Sequence, residues 1–354
     1  MEAELIPGLP EDIAMKCLIR LPYNSHHVAR RVSMTWKDLI DSGDLHRLRK
    51  QNGESRRVVC LVQALTTLDT AVADSTAQVR AGGFQPNRQA AYGVSVFDPV
   101  SNHWDLLDPI PGYPHGIPLF CQLAGTEGKL VVLGGWDPVS WDPVRDVWVY
   151  DFKRKSWRRC ADMPCVRSFF AVGELNGLVF VAGGHDERKN ALRTVSVYNV
   201  GRDEWAVAAE MGEERDECEG VVMKGSDNEL WVVGGYVTDE QGMFRGSAEV
   251  LHLGTGEWRS VDGAWLKGRC SRGCVGVGKD GKLFTWVDVD PSVRVGTCAV
   301  GFGDGTILTG SARPGGAQRF LWVGAKEGEN GKVEVMDVPI EFSGFVQSGC
   351  CVEL

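Results

Sequence analysis

Apolar positions in the first 50 residues recur at helical spacing. Ile13, Cys17 and Leu21 lie four residues apart and follow Pro10-Glu11-Asp12. Proline and acidic residues favour the first turn of a helix, and apolar residues four apart form one face of it. A first helix is therefore predicted up to Pro22, which ends it.

Two further short helices are predicted before residue 50. Ser25 is a candidate N-cap for the second helix, whose apolar face contains Val28 and Val32, and the third contains Trp36 and Ile40. Three helices of this size bury little core. The sequence therefore predicts a helical cluster over residues 1–50 that leaves apolar surface open for a partner.

After residue 57 the pattern changes to short β-rich runs that are separated by glycine turns. Three times, an apolar run ends in two glycines and is followed by an alternating strand, a turn and a tryptophan. The glycine pairs are Gly134-Gly135, Gly183-Gly184 and Gly234-Gly235, the tryptophans are Trp157, Trp205 and Trp258, and an earlier copy ends at Trp104 without a glycine pair. The tryptophans are 48 to 53 residues apart. A period near 50 with these residues predicts the blades of a β-propeller, in which both residue types are structural.

These two patterns together resemble a known family. Residues 119–261 resemble three consecutive kelch repeats, and Leu9-Pro10-Glu11-Asp12 through Val32-Ser33 and Trp36 resembles the F-box. Segments 6–14 and 342–351 also resemble plant F-box/kelch-repeat proteins. The resemblance implies a mainly β fold, with a small α-helical F-box over residues 1–50 and a kelch β-propeller over residues 51–354.

The number of blades follows from the innermost strands. Their starts recur near Leu119, Phe169, Cys218, Gly273, Thr297 and Val346. This pattern favours six blades, with the fifth truncated between Trp286 and Val295, and it leaves a count of five open. The last copy, residues 346–354, is predicted to pair with residues 58–62 and close the ring, so that no sheet edge is left bare.

Strand order decides which loops share a face of the propeller. Loops from the second to the third strand, and from the fourth strand to the next blade, lie on one side, which we call the long-loop face. Its loops are long and varied (109–118, 136–146, 185–194, 210–219 and 236–246), whereas the turns on the opposite, tight-turn face are short. Variable loops on a rigid scaffold usually carry recognition. We therefore predict that substrate binds the long-loop face; the alternative is that these loops are only solvated connections.

Two groups of side chains on this face are candidates for substrate binding. Arginines just before innermost strands would either hold an acidic or carbonyl-rich segment at the channel mouth or tie down neighbouring backbone; these are Arg167, Arg215 and Arg272. Aromatic residues would either anchor an interface or pack beneath their own loops; these are Trp136, Trp141 and Tyr236. Residues 65–91 are predicted to form a mobile insertion on the same face.

The family resemblance implies a role in ubiquitin transfer. Several apolar F-box positions are expected to contact the Skp adaptor of a Skp–cullin–F-box ligase, or to hold the helices together, or both: Leu9, Pro10, Ile13, Leu21, Val28, Val32 and Trp36. Of these, Trp36 is expected to be internal. The propeller would recruit a protein target for degradation, and the resemblance suggests phenylalanine ammonia-lyase or type-B response regulators. A non-degradative scaffold is the stronger alternative, and a kelch-fold enzyme the weaker.

Charge and cysteine content narrow the partners and the compartment. The chain has 47 acidic and 38 basic residues and a net charge of −9, which argues against binding to nucleic acid or anionic membranes. No apolar stretch approaches the roughly 18 residues of a membrane helix. Eleven cysteines, an odd number, follow a start without a secretory signal. We expect buried thiols in a reducing compartment, the cytoplasm or the nucleus or both.

Motifs for catalysis, metals or cofactors are weak. Gly276-Val-Gly278-Lys-Asp-Gly281 matches a dinucleotide fingerprint by letter, but a strand follows it where a helix is needed, so a hairpin turn is predicted. Some plant kelch proteins carry an iron site of the form Glu-x-x-x-Asp-x-x-x-His, and none of the seven histidines has an aspartate four residues before it. We therefore expect no catalytic site, no cofactor and no metal.

Overall fold

The computed structural model describes residues 4–65, 91–223, 228–264, 274–277, 283–303, 305–324 and 332–354. Over these residues the chain is mainly β, with short helices at its N-terminal end, as the sequence predicts. The predicted insertion (apart from Leu65 and Ala91, which bound it) and the candidate Arg272 lie outside the described residues.

The helical cluster contains α1 (Glu11–Ile19), α2 (His26–Ala29), α3 (Met34–Asp41) and α4 (Gly43–Gln51). The sequence predicts three helices, and the fourth arises because Ser42 ends α3 and caps α4 by accepting a hydrogen bond from the N–H of Asp44. Ser33 caps α3 in the same way, through the N–H of Trp36. The predicted cap at Ser25 is wrong: α2 does begin after this residue, but its hydroxyl donates to Asn24.

A small private core holds these helices together. Its fully buried members are Ile19, Ala29, Ile40 and Leu45. The guanidinium group of Arg49 is buried beside them and donates hydrogen bonds to carbonyl oxygens at the end of α1 and beyond α4. So small a core contributes only a few kcal/mol, and the cluster gains further support by packing against the propeller.

Strands make up the rest of the described chain. In chain order they are β1 (Arg57–Ala64), β2 (Tyr92–Asp98), β3 (His103–Leu106), β4 (Gln122–Thr126), β5 (Lys129–Leu133), β6 (Val147–Asp151), β7 (Ser156–Arg159), β8 (Ala171–Leu175), β9 (Leu178–Ala182), β10 (Val195–Asn199), β11 (Glu204–Val207), β12 (Asp216–Met223), β13 (Glu229–Tyr236), β14 (Ala248–His252), β15 (Glu257–Val261), β16 (Val275–Val277), β17 (Leu283–Thr285), β18 (Val295–Phe302), β19 (Gly305–Ser311), β20 (Arg319–Gly324), β21 (Val333–Val335) and β22 (Val346–Glu353). Consecutive strands pair antiparallel, which builds each blade as a meander.

The sheets are arranged as a propeller. Five sheets have four strands each, β22-β1-β2-β3, β4 to β7, β8 to β11, β12 to β15 and β18 to β21, and β16 pairs with β17 in a two-stranded sheet. The innermost strands contact one another in the order β22, β4, β8, β12 and β16, and β18 contacts β22. The described residues therefore form five complete blades, and the two-stranded sheet stands where the sequence predicts a degenerate blade.

The ring is closed by pairing between its two ends. β22 pairs antiparallel with β1, with Val58 opposite Val352 and Cys60 opposite Cys350. The predicted closure by the last copy of the repeat is therefore confirmed. Because β22 supplies the innermost strand of the first blade, the N-terminal strand has a partner on both of its edges.

The paired glycines lie where backbones of neighbouring elements meet. All six have positive φ, a conformation that L side chains rarely adopt. At Gly184 an added Cβ would stand 2.3 Å from the carbonyl oxygen of Ser168, and at Gly235 it would stand 2.6 Å from that of Asp216. Asp216 is the first residue of the innermost strand of its blade, and Ser168 lies three residues before the innermost strand of its own. At these two positions glycine is therefore required both by the positive φ and by the lack of space for a Cβ.

Three repeat tryptophans tie each blade to the one before it. The indole N–H donates to a backbone carbonyl just beyond the last strand of the preceding blade, and the pairs are Trp157 to Asp108 (2.6 Å), Trp205 to Ala161 (2.9 Å) and Trp258 to Ala209 (2.8 Å). Trp104 is anchored by its ring instead, which stacks on Phe342 and contacts Phe97 and Phe320. The repeat spacing therefore corresponds to a repeated contact between blades.

We expect Trp205→Ala to lower the free energy of unfolding by about 3 kcal/mol, because it removes a half-buried ring and an interblade hydrogen bond. Trp141→Ala is the matched control: its ring is 47% exposed, and the loss should stay under about 1 kcal/mol. Urea unfolding of both variants gives the comparison. Equal losses would show that the repeat tryptophan does not anchor its blade.

The helical cluster packs on the tight-turn face. Lys153, in the β6–β7 turn, donates to the carbonyl oxygen of Ser42 at 3.0 Å, and its neighbour Arg154 forms an ion pair with Asp41 at 3.0 Å. His26 is buried in this junction, and burial lowers its pKa to about 4. The long-loop face therefore lies on the side of the propeller that the helices do not occupy.

Candidate functional site

Apolar side chains are exposed on the helical cluster. Four candidates from the F-box pattern are exposed by 39% to 62% of their surface, namely Leu9, Ile13, Val28 and Val32. Pro10 is exposed as well. We call Leu9, Pro10, Ile13, Val28 and Val32 the apolar helix surface. Exposure of aliphatic side chains to water is unfavourable. An exposed apolar patch of this kind is typical of a docking surface.

Two other candidates of that set lie inside the cluster. Leu21 and Trp36 pack against its private core, and the indole N–H of Trp36 donates to the carbonyl oxygen of Leu5 at 2.6 Å. The expectation that Trp36 is internal agrees with this arrangement. Leu21 and Trp36 therefore help to hold the helices together, which is one of the two roles expected for them, and contact with the adaptor stays a prediction.

On the long-loop face, three blades repeat one geometry at the channel mouth. A residue at the start of the innermost strand, or three residues before it, bridges to the residue that follows the glycine pair. These bridges join Leu119 to Trp136, Ser168 to His185 and Asp216 to Tyr236. The next residue in each blade has positive φ: 59° at Phe120, 52° at Phe169 and 50° at Glu217. Such values are uncommon for side chains of this size and cost roughly 1–3 kcal/mol each.

We call Phe120, Trp136, Phe169, His185, Glu217 and Tyr236 the mouth site. Its composition changes from blade to blade: two aromatic rings in the second blade, a ring and an imidazole in the third, and a carboxylate and a phenol in the fourth. Four of the six are not among the candidates from the sequence, because no motif marks their positions; these are Phe120, Phe169, His185 and Glu217.

The aromatic half of the mouth site is a continuous set of rings. Phe120 lies 5.1 Å from Phe169, and Trp136 lies 5.8 Å and 6.2 Å from these two rings, measured between centroids. The indole N–H of Trp136 donates to the hydroxyl of Ser168 at 2.7 Å. Trp136 is therefore half-buried and fixed rather than fully exposed.

Trp141 stands at the tip of the loop beside this set. Its ring is 6.4 Å from that of Trp136, and its own φ is 63°. Asp137 holds the loop by accepting hydrogen bonds from the N–H groups of Ser140 and Val139, which also keep the pKa of its carboxyl below the usual value. Of the predicted anchors, Trp141 is the one presented to solvent on a rigid turn.

The acidic half begins where the rings end. The ring of His185 lies 5.5 Å from Phe169, and its Nδ1 is 2.9 Å from both carboxylate oxygens of Asp216. Tyr236 is buried and donates to Glu217 at 3.1 Å. Tyr236 is thus corrected from an exposed anchor to a support for Glu217, because burial beside two carboxylates leaves its hydroxyl engaged.

The structure describes two of the three arginine candidates, and both are buried. Arg167 is 1% exposed, and its guanidinium donates to the carbonyl oxygens of Gly183 (2.7 Å) and Thr194 (2.9 Å). Arg215 is also 1% exposed and donates to Gly234 at 2.8 Å. Both side chains fix the glycine pair of their own blade from inside the propeller, so the alternative that they tie down backbone is the one that the geometry supports.

Three features of the described residues bear on metal binding, on the glycine motif and on membrane insertion. In the described segments, no group of three His, Cys, Asp or Glu side chains is placed to hold a metal ion. Gly276 and Val277 of the glycine motif belong to β16, which pairs antiparallel with β17; its residues 278–281 are outside the described part of the chain. Among the described helices, none is long and apolar enough to cross a membrane.

Comparison with known proteins agrees with both modules. The F-box domain family matches residues 6–48, and the Kelch motif family matches residues 120–164 and 167–212. An F-box/kelch-repeat protein of Arabidopsis thaliana is 33% identical over 374 residues, covering 99% of this chain and 100% of the relative. The chain belongs to the F-box/kelch-repeat family.

A second relative and a solved structure match this F-box/kelch-repeat protein over a shorter range. A second Arabidopsis thaliana family member is 36% identical over 275 residues, which cover 74% of this chain and 66% of that relative. The solved structure of YjhT superposes with a TM-score of 0.53 at 15% identity, over 69% of this chain and 91% of that chain. The structural likeness supports the fold alone.

Proposed function

We propose that this F-box/kelch-repeat protein is the substrate-recognition subunit of a Skp–cullin–F-box ubiquitin ligase, without a catalytic site of its own. The observation that supports this most is the separation of two surfaces. The apolar helix surface belongs to a cluster that packs on the tight-turn face, and the long-loop face with its mouth site is left accessible on the other side.

The mechanism that follows is one of proximity. The F-box binds the Skp adaptor and through it the cullin core, while the long-loop face holds a target protein. Holding both on one rigid body raises the effective concentration of the conjugating enzyme near a target lysine. The phenylalanine ammonia-lyase and type-B response regulator classes are the first targets to assay, in the cytoplasm or the nucleus.

The adaptor surface can be tested in the full chain. Placing a carboxylate in the centre of an apolar interface leaves a buried charge without a partner. We therefore expect the double variant Val28→Asp/Val32→Asp to lose at least a hundredfold in affinity for the Skp adaptor. Calorimetric titration with the purified adaptor measures this affinity. The amount of target protein that the double variant captures should be unchanged.

The matched control is Val207→Asp, which changes the same residue type at a site on β11 that is 83% exposed. It should bind the adaptor like the parent protein. If the double variant bound the adaptor normally while remaining folded, the proposed docking mode would be wrong. If the adaptor bound but no target became ubiquitinated, the protein would be a non-degradative scaffold.

A further inference from the structure

The mouth site combines two chemistries on one continuous surface. Its aromatic half consists of the rings of Phe120, Trp136 and Phe169, all in mutual contact. Phe169 contacts His185, whose Nδ1 lies within hydrogen-bond distance of the carboxylate of Asp216 in the fourth blade, the neighbour of Glu217 in the chain. Apolar rings alone would bind any hydrophobic segment. The acidic end therefore restricts which chemical class of ligand the site can bind.

The two carboxylates at that end differ in how they are engaged. Asp216 is buried and bound by His185. Glu217 is half-buried, receives a hydrogen bond from the hydroxyl of Tyr236 at 3.1 Å, and is the second residue of β12, at the end of this strand that meets the long-loop face. A carboxylate can accept several hydrogen bonds, and the one from Tyr236 uses only part of this capacity. Glu217 therefore retains acceptor capacity toward a ligand at the mouth.

Basic side chains on the neighbouring loops are mostly engaged elsewhere. Arg245 pairs with Glu213 and Glu240, and Arg193 pairs with Glu210. Arg188 and Lys189 are exposed on the β9–β10 loop and would add positive charge near the third blade. The aromatic half thus leads to an acidic end at Glu217, and the charge that complements it is positive.

We infer that the mouth site binds an arginine side chain in an extended segment of the target, with the guanidinium over the aromatic rings and paired with Glu217. This inference rests on the proposed function and specifies its substrate class. Aromatic faces attract cations, and the planar guanidinium both stacks on rings and donates a fork of hydrogen bonds to a carboxylate. The hydrogen bonds of Tyr236 and Trp136 hold the two halves in place.

The test uses two pools of random decapeptides that are identical except at one central position, which is arginine in one pool and neutral, isosteric citrulline in the other. The parent full-length protein should retain the arginine pool about tenfold more strongly. Glu217→Gln should bring the two pools to equal retention, and Phe169→Leu should weaken retention of both. Glu204→Gln, an exposed site on β11, is the matched control and should keep the preference.

Equal retention of both pools by the parent protein would overturn the inference, as would a preference that survives in Glu217→Gln. Melting temperatures of the variants show that each is folded. Capture of the Skp adaptor and of cellular targets is measured on the same preparations. If those captures persist while the arginine preference is absent, the inference alone fails; if adaptor capture fails, the proposed function fails.

Discussion

Replacing Arg215 by methionine is expected to lower the free energy of unfolding by about 4 kcal/mol, because it leaves a buried carboxylate without its counter-charge. The Nε of Arg215 is 3.4 Å from Glu249 Oε1, and both side chains are 2% exposed. The guanidinium also donates to the carbonyl oxygen of Gly234 (2.8 Å) and to the hydroxyl of Ser247 (2.9 Å). Methionine fills much of the volume but satisfies none of these groups.

The control for this variant is Arg202→Met, which removes the same charge from an exposed turn and should change stability by less than about 0.5 kcal/mol. Urea unfolding of the two variants and the parent gives the difference. If Arg215→Met proved as stable as the control but lost target binding, the arginine would be a substrate contact after all.

The case of Arg215 shows what the repeat pattern can and cannot decide. An arginine before an innermost strand is equally compatible with a side chain that points into the channel mouth and with one that folds back under the glycine pair. The difference depends on the positions of Glu249, in the third strand of the same blade, and of Ser247, just before that strand. Such a contact joins residues more than 30 apart, which no local pattern reports.

More of the fold than of the candidate site can be predicted from the sequence. The glycine pairs and tryptophans are set by a repeated backbone contact, so their spacing predicts both the blades and the closing strand. The mouth site has no comparable constraint: Phe120, Phe169 and Glu217 share a backbone conformation but no side-chain chemistry. Phe120 and Phe169 both stand 14 residues before the first glycine of their pair, whereas Glu217 stands 17 before it, so aligning the repeats on their glycine pairs brings only the two phenylalanines together.

The apolar spacing also does not predict which of the F-box residues are exposed. Apolar spacing marks a helix face, and a cluster of four short helices uses its apolar faces both for its own core and for a partner. Leu21 and Trp36 are half-buried against the core, whereas Val28 and Val32 are exposed. Which of these roles each residue takes depends on the angles between helices, which the spacing does not contain.

Gly184→Ala is expected to destabilise the propeller by at least about 4 kcal/mol, and the comparison with Gly177→Ala separates two causes. Both glycines have nearly the same positive φ, 78° and 79°. Alanine in that conformation costs about 1 kcal/mol by itself. At Gly177, in the described structure, the added Cβ would have no neighbour within 4 Å, so about 1 kcal/mol is the whole expected loss.

At Gly184 the same Cβ would stand 2.3 Å from the carbonyl oxygen of Ser168 and 2.9 Å from the Cβ of Phe170. Neither atom belongs to the flexible end of a side chain, so the innermost strand must shift, and overpacking of this kind adds about 3 kcal/mol. The shift would also strain the hydrogen bond from the N–H of Gly184 to the carbonyl oxygen of Arg215, at 2.8 Å. Urea unfolding of both variants measures the difference. Equal losses at the two positions would mean that φ alone, and not close approach of the strands, selects glycine in the repeat.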